Sequence, residues 1–267
     1  MITAFWEMQF NPFSKPATGN RLFESEDFKQ ATARLKYLCD VKGIGLFTGN
    51  PGTGKTFTLK KYADSLNPGL FKLFYAPLSS LTVLEFYRAL AVGLGLSPTY
   101  KKIDLFNDIQ GRIKSLAKDK RVTPVIICDE GQYLSSKILA DLKILLNFDM
   151  DSDNLAVVIL AGQPALANTL SMGAHEALAQ RILINFAFNG LSKDEMSDYV
   201  VSKLKACGVT MPIFTENSLE ALWACCSGAP RLVDSLAENC LRIGALKGSK
   251  LIDPEIVMLA NDELALV

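Results

Sequence analysis

The sequence predicts an α/β fold, in which a five-stranded parallel sheet is covered by helices and is followed by a small all-helical domain. Short apolar runs of strand length alternate with segments of helical periodicity between residues 44 and 186, as in a parallel sheet that is buried on both faces. A glycine-rich stretch, Gly49–Thr56, lies between the first apolar run and the helical segment after it. From Leu191 onward the apolar runs of strand length stop, and helical periodicity alone remains.

The composition is that of an ordinary globular protein, because 49% of the 267 residues are hydrophobic and 21% are charged. We expect a soluble, cytoplasmic protein, since the sequence lacks both a long apolar stretch and the basic start and apolar run of a signal peptide. The six cysteines form no C-x-x-C pair and His175 is the one histidine, which argues against a zinc site. The formal net charge is zero, so global electrostatics do not indicate nucleic-acid binding, although a local basic patch would be compatible with it.

Residues 1–25 are predicted to form an ordered N-terminal arm. Turn-forming residues alternate with aromatic residues in Phe10–Phe13 and in Asn20–Phe23. Such an arm could line an adenine pocket or could pack its rings in the core, and the sequence leaves both interpretations open. A helix is then predicted from Ser25, a candidate N-cap, to Tyr37.

The glycine-rich stretch fits the phosphate-binding pattern G-x-x-x-x-G-K-[ST]. A buried strand is predicted before it at Ile44–Thr48 and a helix after it at 57–66, which is the context that phosphate binding needs. The glycines let backbone N–H groups approach the phosphates, Lys55 would reach the β- and γ-phosphates, and the Thr56 hydroxyl would ligate Mg²⁺. We therefore expect ATP and Mg²⁺ as cofactors. The residues predicted to contact the nucleotide here are Gly49, Asn50, Pro51, Gly52, Thr53, Gly54, Lys55 and Thr56.

The third predicted strand is Thr123–Glu130, an apolar run that ends in two acidic residues, Asp129 and Glu130. We expect it to deliver Asp129 to the edge of the sheet beside Thr56, where the carboxylate can hold Mg²⁺. Glu130 is then placed to orient and deprotonate the attacking water. Between the glycine-rich stretch and this strand, the sequence predicts a strand at Leu70–Tyr75 and helices at 83–90 and 103–116.

A fourth strand, predicted at Leu155–Leu160, leads to Gln163. Its side chain would lie near the γ-phosphate and sense it, and the alternative is a loop amide that satisfies local backbone groups. Arg181 precedes the fifth predicted strand, Ile182–Phe186, and we expect it on the same edge of the sheet as the nucleotide. Ligands of such sheets bind at the carboxyl ends of the strands. The helices predicted in this region cover 135–148 and 174–180.

The C-terminal part is predicted to be a helical domain. Ser192, with Glu195 three residues later, fits a capping box, and Thr215 and Ser218 are alternative starts of the second helix. Pro230 suits the first turn of the third helix. The four predicted helices cover 193–206, 215–226, 230–246 and 254–262. The predicted division of the chain is an arm at 1–25, a nucleotide-binding α/β domain at 26–190 and a helical lid domain at 191–267.

Taken together, these motifs resemble those of the AAA+ ATPases, a branch of the P-loop NTPases. Gly49–Thr56 matches the family's Walker A motif, Val125–Glu130 matches Walker B, and the helical tail resembles the lid. The resemblance implies that Gln163 is sensor 1. It also implies that Arg231, at the end of the Gly-x-Pro-Arg entry to the lid, is sensor 2 and contacts the nucleotide.

The resemblance further implies that Arg181 is an arginine finger, which enters the ATP site of a neighbouring subunit. The competing interpretation is that Arg181 pairs locally with an acid such as Glu176 and only holds the end of a helix. The predicted catalytic residues are Lys55, Glu130, Gln163 and Arg181.

Within the AAA+ superfamily the chain is most similar to the ExeA group and to the transposition helpers TniB, TnsC and MuB. The shared features are Asn11–Ser14, Gly162–Pro164, Gln180–Ile182 and the lid entry. This resemblance implies an ATPase that forms a homo-oligomer, as a ring or a helical filament, on double-stranded DNA and that recruits or stimulates a transposase. Because no membrane span or cell-wall-binding domain follows the lid, we favour transposition over a secretion-assembly ATPase that works with a membrane partner. A stand-alone signalling or defence NTPase is a third interpretation.

Basic residues in and around the helix predicted at 103–116 are the candidate DNA contacts. The alternative is that they form an ordinary solvated helix face. Charge alone favours this alternative over DNA binding, and the family resemblance brings the two interpretations nearer to equal. The candidates are Lys101, Lys102, Arg112, Lys114, Lys118, Lys120 and Arg121.

Overall fold

The computed structural model describes residues 2–14, 23–76, 81–149 and 153–265, so Asn20–Leu22 of the predicted arm lie outside the described residues. The chain divides into two compact units. The first, the sheet unit, consists of Gln30–Asn50 and Lys55–Phe188. The second, the helical unit, consists of Met1–Lys29, Pro51–Gly54 and Asn189–Val267.

The sheet has five parallel strands, which confirms the predicted fold class. They are β1 (Gly43–Gly49), β2 (Phe71–Ala76), β3 (Thr123–Cys128), β4 (Val157–Gly162) and β5 (Ile182–Phe188). Their order is β2-β3-β4-β1-β5, with Thr48 of β1 opposite Gly162 of β4 and Ala76 of β2 opposite Cys128 of β3. Because the strands are parallel, their last residues all lie at one edge, the carboxyl edge, and their first residues lie at the opposite amino edge.

Helices cover both faces of this sheet, as the apolar strands predict. In chain order the helices are α1 (Ile2–Phe5), α2 (Glu26–Val41), α3 (Lys55–Ser65), α4 (Val83–Gly93), α5 (Lys102–Lys114), α6 (Ser136–Leu145), α7 (Pro164–Leu170), α8 (Glu176–Ala179), α9 (Lys193–Ala206), α10 (Glu216–Cys226), α11 (Pro230–Lys247) and α12 (Pro254–Ala265). On one face Leu35 of α2 and Leu59 of α3 join the core. On the other face Leu90 of α4, Ile109 of α5 and Leu142 of α6 do so. All five side chains are buried, so each face has its own apolar core.

Some local features differ from the prediction. α7 was not predicted, and Pro164 occupies its first turn, a position that suits proline. The helix predicted to end at 116 ends as α5 at Lys114 and continues as one π-helical segment, Ser115–Asp119. α6 ends at Leu145 rather than at residue 148, and Phe148 bridges to Asp153 instead.

The helical unit contains the four helices predicted from the C-terminal sequence, as α9 to α12. Ser192 and Glu195 form the predicted capping box, in which each backbone N–H donates to the other residue's side chain. Thr215, and not Ser218, caps α10, because its hydroxyl oxygen accepts the N–H of Ser218. Pro230 is the first residue of α11, as expected.

The arm packs its described aromatic side chains into the helical unit. Trp6 and Phe13 are buried there, and the Trp6 indole N–H donates to the carbonyl of Leu241 at 2.9 Å. The Asn11 side chain accepts the N–H of Phe13 and donates to a carboxylate oxygen of Glu238. For these rings the structure supports core packing, which was one of the two interpretations that the sequence left open.

No helix in the part of the chain that the structure describes combines the length and the hydropathy that are needed to cross a bilayer. All six cysteines are free thiols, and five of them are buried. Burial raises the pKa of the Cys128 thiol to about 12, so this group stays protonated at neutral pH and packs as a small apolar side chain.

Candidate nucleotide-binding site

The loop between β1 and α3 has a backbone that can enclose a phosphate. Gly52 and Gly54 have φ angles of 84° and 99°, a region that residues with a side chain rarely adopt. A Cβ on Gly54 would meet no atom within 4 Å, so the loop is open at this point. The loop leads directly into the first turn of α3, whose N–H groups and dipole favour an anion.

Lys55, the first residue of α3, folds its side chain back over this loop. Its Nζ donates to the carbonyl oxygens of Gly49 at 2.7 Å and of Asn50 at 2.9 Å. The side chain is 8% exposed although it carries a charge. The ammonium group is therefore held beside the loop, where it can pair with a phosphate that the loop binds.

Thr56 and Asp129 meet at the carboxyl edge of the sheet. The Thr56 hydroxyl donates to Oδ2 of Asp129 at 2.8 Å, and Oδ1 accepts the N–H of Glu130 at 2.9 Å. Asp129 follows β3 directly and is 3% exposed. A hydroxyl oxygen and a carboxylate are hard oxygen donors of the kind that Mg²⁺ takes in nucleotide sites, so this pair fits that ion.

Tyr75 adds a contact to this pair that sequence analysis missed. Its hydroxyl donates to Oδ2 of Asp129 at 2.9 Å. Burial, together with this hydrogen bond, raises the pKa of Tyr75 to about 12, so the phenol remains a donor at neutral pH. The parallel pairing of β2 with β3 places Tyr75 opposite Ile127, two residues before the acid. The position of Tyr75 near the end of the second predicted strand was the available signal.

A second network links the ends of β3 and β4. Glu130 is exposed and has a left-handed backbone conformation, with φ 53°. The Gln132 side-chain amide donates to Oε2 of Glu130 at 2.7 Å, and its oxygen accepts the N–H of Gln163 at 2.9 Å. Gln132 was not singled out in the sequence, and it connects the predicted base to the predicted sensor position.

A known protein family matches the part of the chain that contains this site. Residues 39–170 match the family described as the AAA domain. This segment, slightly less than half of the chain, has the sequence of an AAA domain. The matched range contains the loop, Lys55, Thr56, Asp129, and the Gln132 network, whereas the helical unit beyond residue 188 lies outside it.

Two relatives and one solved structure show how far the similarity extends. General secretion pathway protein A of Aeromonas hydrophila is 32% identical over 271 residues, covering 98% of this chain and 48% of that protein. The ATP-dependent target DNA activator B of Escherichia phage D108 is 23% identical, covering 81% of this chain and 64% of that protein. The chain thus spans about half to two thirds of the length of these relatives. They confirm the predicted resemblance to the ExeA and MuB group.

The solved structure, Drosophila ORC bound to DNA, matches with a TM-score of 0.70 at 19% identity, covering 99% of this chain and 66% of that chain. At this identity the match demonstrates a shared fold and nothing more.

Arg181 lies at the amino edge of the AAA sheet, which corrects the expectation that it shares an edge with the nucleotide loop. It immediately precedes β5, whose first residue, Ile182, is opposite Ile44 near the start of β1. The error has a simple cause: a residue before a parallel strand lies at the opposite edge from a residue after one. The Arg181 guanidinium donates to the carbonyl of Lys143 and lines a cavity of about 190 Å³.

Arg231 lies in the helical unit together with the tip of the phosphate loop. Its backbone N–H donates to the carbonyl of Gly52 at 3.3 Å, and its side chain is exposed. Gly228, just before α11, has φ 74°, and a Cβ there would lie 2.1 Å from the carbonyl oxygen of Leu191, so a glycine is required. The backbone turn at Gly228 thus leads into α11, which begins two residues later.

The candidate DNA contacts are not brought together as one basic patch. Lys101 and Lys102 lie at the start of α5, while Lys118, Lys120 and Arg121 lie beyond its end, roughly 20 Å away by helix length. Acidic partners also offset some of these charges. Lys102 pairs with Asp141, Lys114 with Asp149, and Lys118 with Asp149 and Asp153, while Arg112 donates to the carbonyl of Leu94. Lys101, Lys120 and Arg121 are exposed and form no ion pair with another described residue.

Because Gly162 has no side chain, the Gln132 amide can lie against its Cα. A Cβ at this position would lie 2.6 Å from Gln132 Oε1 and 3.2 Å from the Gln132 backbone nitrogen. Gly162→Ala is therefore expected to displace the amide, to leave the N–H of Gln163 without its partner, and to lower the free energy of unfolding by about 1–3 kcal/mol. Urea denaturation measures this change.

Gly111→Ala is the matched control for that substitution. Gly111 lies within α5, and a Cβ there would meet no atom within 4 Å. This control should raise the free energy of unfolding by about 0.5–1 kcal/mol, because alanine is the better helix former. A Gly162→Ala variant as stable as the parent would show that the Gln132 network contributes nothing to stability.

Proposed function

We propose that this AAA domain binds ATP with Mg²⁺ on the loop Gly49–Thr56 and hydrolyses it to ADP and phosphate. The observation that carries the proposal is the contact of 2.8 Å between the Thr56 hydroxyl and the Asp129 carboxylate. It combines the two predicted Mg²⁺ ligands at the carboxyl edge, next to a lysine folded over a phosphate-sized loop. This arrangement has the parts that phosphoryl transfer needs.

Each residue has a proposed role in that reaction. Lys55 pairs with the β- and γ-phosphates, and Thr56 and Asp129 would hold Mg²⁺, which supplies charge neutralisation on the phosphate oxygens. Glu130 orients the attacking water and accepts its proton. Gln163 contacts the γ-phosphate from the end of β4. Arg231 contacts it from the same subunit, and Arg181 acts from a neighbouring subunit of the homo-oligomer.

We further propose that the chain assembles on double-stranded DNA, as a ring or a helical filament, and recruits or stimulates a transposase. Similarity to a target DNA activator supports this assignment. Lys101, Lys120 and Arg121 are the basic residues best placed to contact DNA phosphates, because acids offset several of the other candidates. ATP would favour assembly if it binds between subunits, and DNA would raise their local concentration.

A secretion-assembly ATPase that works with a membrane partner is a second candidate with equal support. The observation that favours it is the 32% identity to a general secretion pathway protein over 98% of this chain. The two candidates share the nucleotide chemistry and differ in what the nucleotide-bound state recognises.

The nucleotide assignment is tested by Lys55→Ala. Removing a charged partner of the phosphates is expected to weaken ATP binding roughly 10- to 100-fold, the range for hydrogen bonds to charged groups. Fluorescence titration with a labelled ATP analogue measures the dissociation constant. Lys60→Ala, on the exposed side of the same helix, is the matched control and should bind as the parent does. Equal affinity in Lys55→Ala and the control would contradict the assignment.

Electron microscopy distinguishes the two candidate functions. The chain is imaged with a non-hydrolysable ATP analogue, with duplex DNA and without it. Rings or filaments that require both DNA and the analogue support the transposition role. Assembly that needs the analogue but ignores DNA supports the secretion role or a signalling NTPase, and no assembly in any condition contradicts the proposed oligomer.

A further inference from the structure

We propose that Tyr75 is a positioning residue of the Mg²⁺ site, whose hydroxyl fixes the orientation of the Asp129 carboxylate. The inference rests on the proposed function, because it takes Asp129 as a ligand that Mg²⁺ meets when nucleotide binds. Tyr75 belongs to none of the nucleotide motifs, and its phenolic oxygen makes the hydrogen bond to Asp129.

The setting of Tyr75 separates this role from ordinary core packing. β2 is an edge strand of the sheet. Tyr75 is 42% exposed, and Leu73, its neighbour on the same side of the strand, is 36% exposed. The ring therefore gains less from burial than a core aromatic residue does. The hydroxyl, in contrast, reaches a carboxylate that is 3% exposed. The polar end of the side chain makes the specific contact.

The other donors to Asp129 differ from Tyr75 in one respect. Oδ2 accepts hydrogen bonds from Thr56 and Tyr75, and Oδ1 accepts one from the Glu130 N–H. Thr56 is itself a predicted Mg²⁺ ligand, and the Glu130 N–H belongs to the peptide that follows Asp129. Tyr75 is the donor that comes from another strand and has no proposed contact with nucleotide or metal. Its hydrogen bond can therefore restrict rotation of the carboxylate, as outer partners of metal ligands do.

Tyr75→Phe removes the phenolic oxygen and leaves the ring in place. Metal affinity in the presence of ADP is expected to fall about 10- to 100-fold, the usual effect of removing an outer partner of a metal ligand. The probe is Mn²⁺, which substitutes for Mg²⁺ at oxygen-rich sites and is followed by electron paramagnetic resonance. Binding of labelled ADP in EDTA should match the parent, because no phosphate contact is changed.

Tyr100→Phe is the matched control, since Tyr100 is 88% exposed and lies outside the site. The control should bind Mn²⁺ with the parental affinity. Urea denaturation of both variants checks that the fold is intact. Saturating Mg²⁺ should restore most of the hydrolysis that Tyr75→Phe loses at low Mg²⁺, because the carboxylate itself remains.

The outcomes separate this inference from the proposed function. If the parent binds Mn²⁺ with ADP and Tyr75→Phe binds it equally tightly, the positioning role is overturned and the nucleotide assignment stands. If the parent itself binds no nucleotide, or binds Mn²⁺ no better with ADP than without it, the proposed function fails first. An equal loss of Mn²⁺ affinity in Tyr100→Phe would also overturn the positioning role, because the effect would then not be specific to the bond with Asp129.

Discussion

Arg181→Ala subunits are expected to bind ATP as the parent does and to hydrolyse it roughly 10³- to 10⁵-fold more slowly, the range for arginines supplied in trans. The reason is geometric. Arg181 precedes β5 at the amino edge, whereas the phosphate loop follows β1 at the carboxyl edge. The guanidinium therefore cannot serve the site of its own sheet unit, and a catalytic role requires a neighbouring subunit.

A mixing experiment measures this effect. Glu130→Gln subunits keep an intact Arg181, and Arg181→Ala subunits keep an intact Glu130. Mixed on duplex DNA with ATP, the two inactive variants should recover part of the activity that each lacks alone. Arg34→Ala is the control, because Arg34 also donates to a backbone carbonyl, that of Gln30, and has no proposed role in DNA or nucleotide binding. It should keep the parental rate.

Co-assembly without recovery would assign Arg181 a structural role. The structure offers such a role, since the side chain bonds to the carbonyl of Lys143 and lines the cavity at the amino edge. In that case the free energy of unfolding of Arg181→Ala should fall together with its activity. Recovery in the mixture, and not the stability of the isolated subunit, distinguishes the two roles, because the bond to Lys143 is lost in either case.

Glu130→Gln should bind ATP with parental affinity and hydrolyse it slower by a factor on the order of 10² or more. The substitution keeps the shape of the side chain and removes the charge that accepts a proton from water. Glu130 is exposed at the end of β3, and Gln132 already fixes one of its oxygens. Single-turnover hydrolysis, with binding measured separately, isolates the chemical step.

Glu216→Gln, an exposed position in the first turn of α10, is the control for this substitution and should hydrolyse ATP at the parental rate. Parental turnover in Glu130→Gln would remove Glu130 from the mechanism. The Gln132 network would then be a structural feature of the ends of β3 and β4.

Much of the sheet could be predicted because its signals are local. The alternation of apolar runs with helical segments predicted five parallel strands. The third, predicted at Thr123–Glu130, begins at the predicted residue and ends two residues earlier, at Cys128. The loop pattern and the acid after β3 predicted that Thr56 and Asp129 would be neighbours, because residues that follow parallel strands meet at one edge. The contact between them is present in the structure, while the catalytic roles stay predictions.

The remaining features depend on long-range contacts that a one-dimensional pattern does not contain. Tyr75 and Asp129 are 54 residues apart, and Lys118 meets its partner Asp149 31 residues away. The net charge around the basic residues could not be predicted from residues 101–121 alone, since the acids that pair with several of them come from other segments. The wrong position predicted for Arg181 had a different origin, because the sequence already contained the answer. A residue that precedes a parallel strand lies at the amino edge, opposite the carboxyl edge where the phosphate loop lies.

The hydrogen bond from Tyr75 to Asp129 also connects the proposed Mg²⁺ site to β2, a strand that pairs with a neighbour on one side only. β3 and β4 are almost wholly buried, whereas β2 pairs on one side only and faces solvent with several of its side chains. Amide exchange in such an edge strand occurs through local fraying, which needs less free energy than opening the whole unit. Each time the end of β2 frays, the Asp129 carboxylate loses one donor. The order of the carboxylate is therefore thermodynamically linked to the local stability of β2, a strand that lies outside the nucleotide motifs.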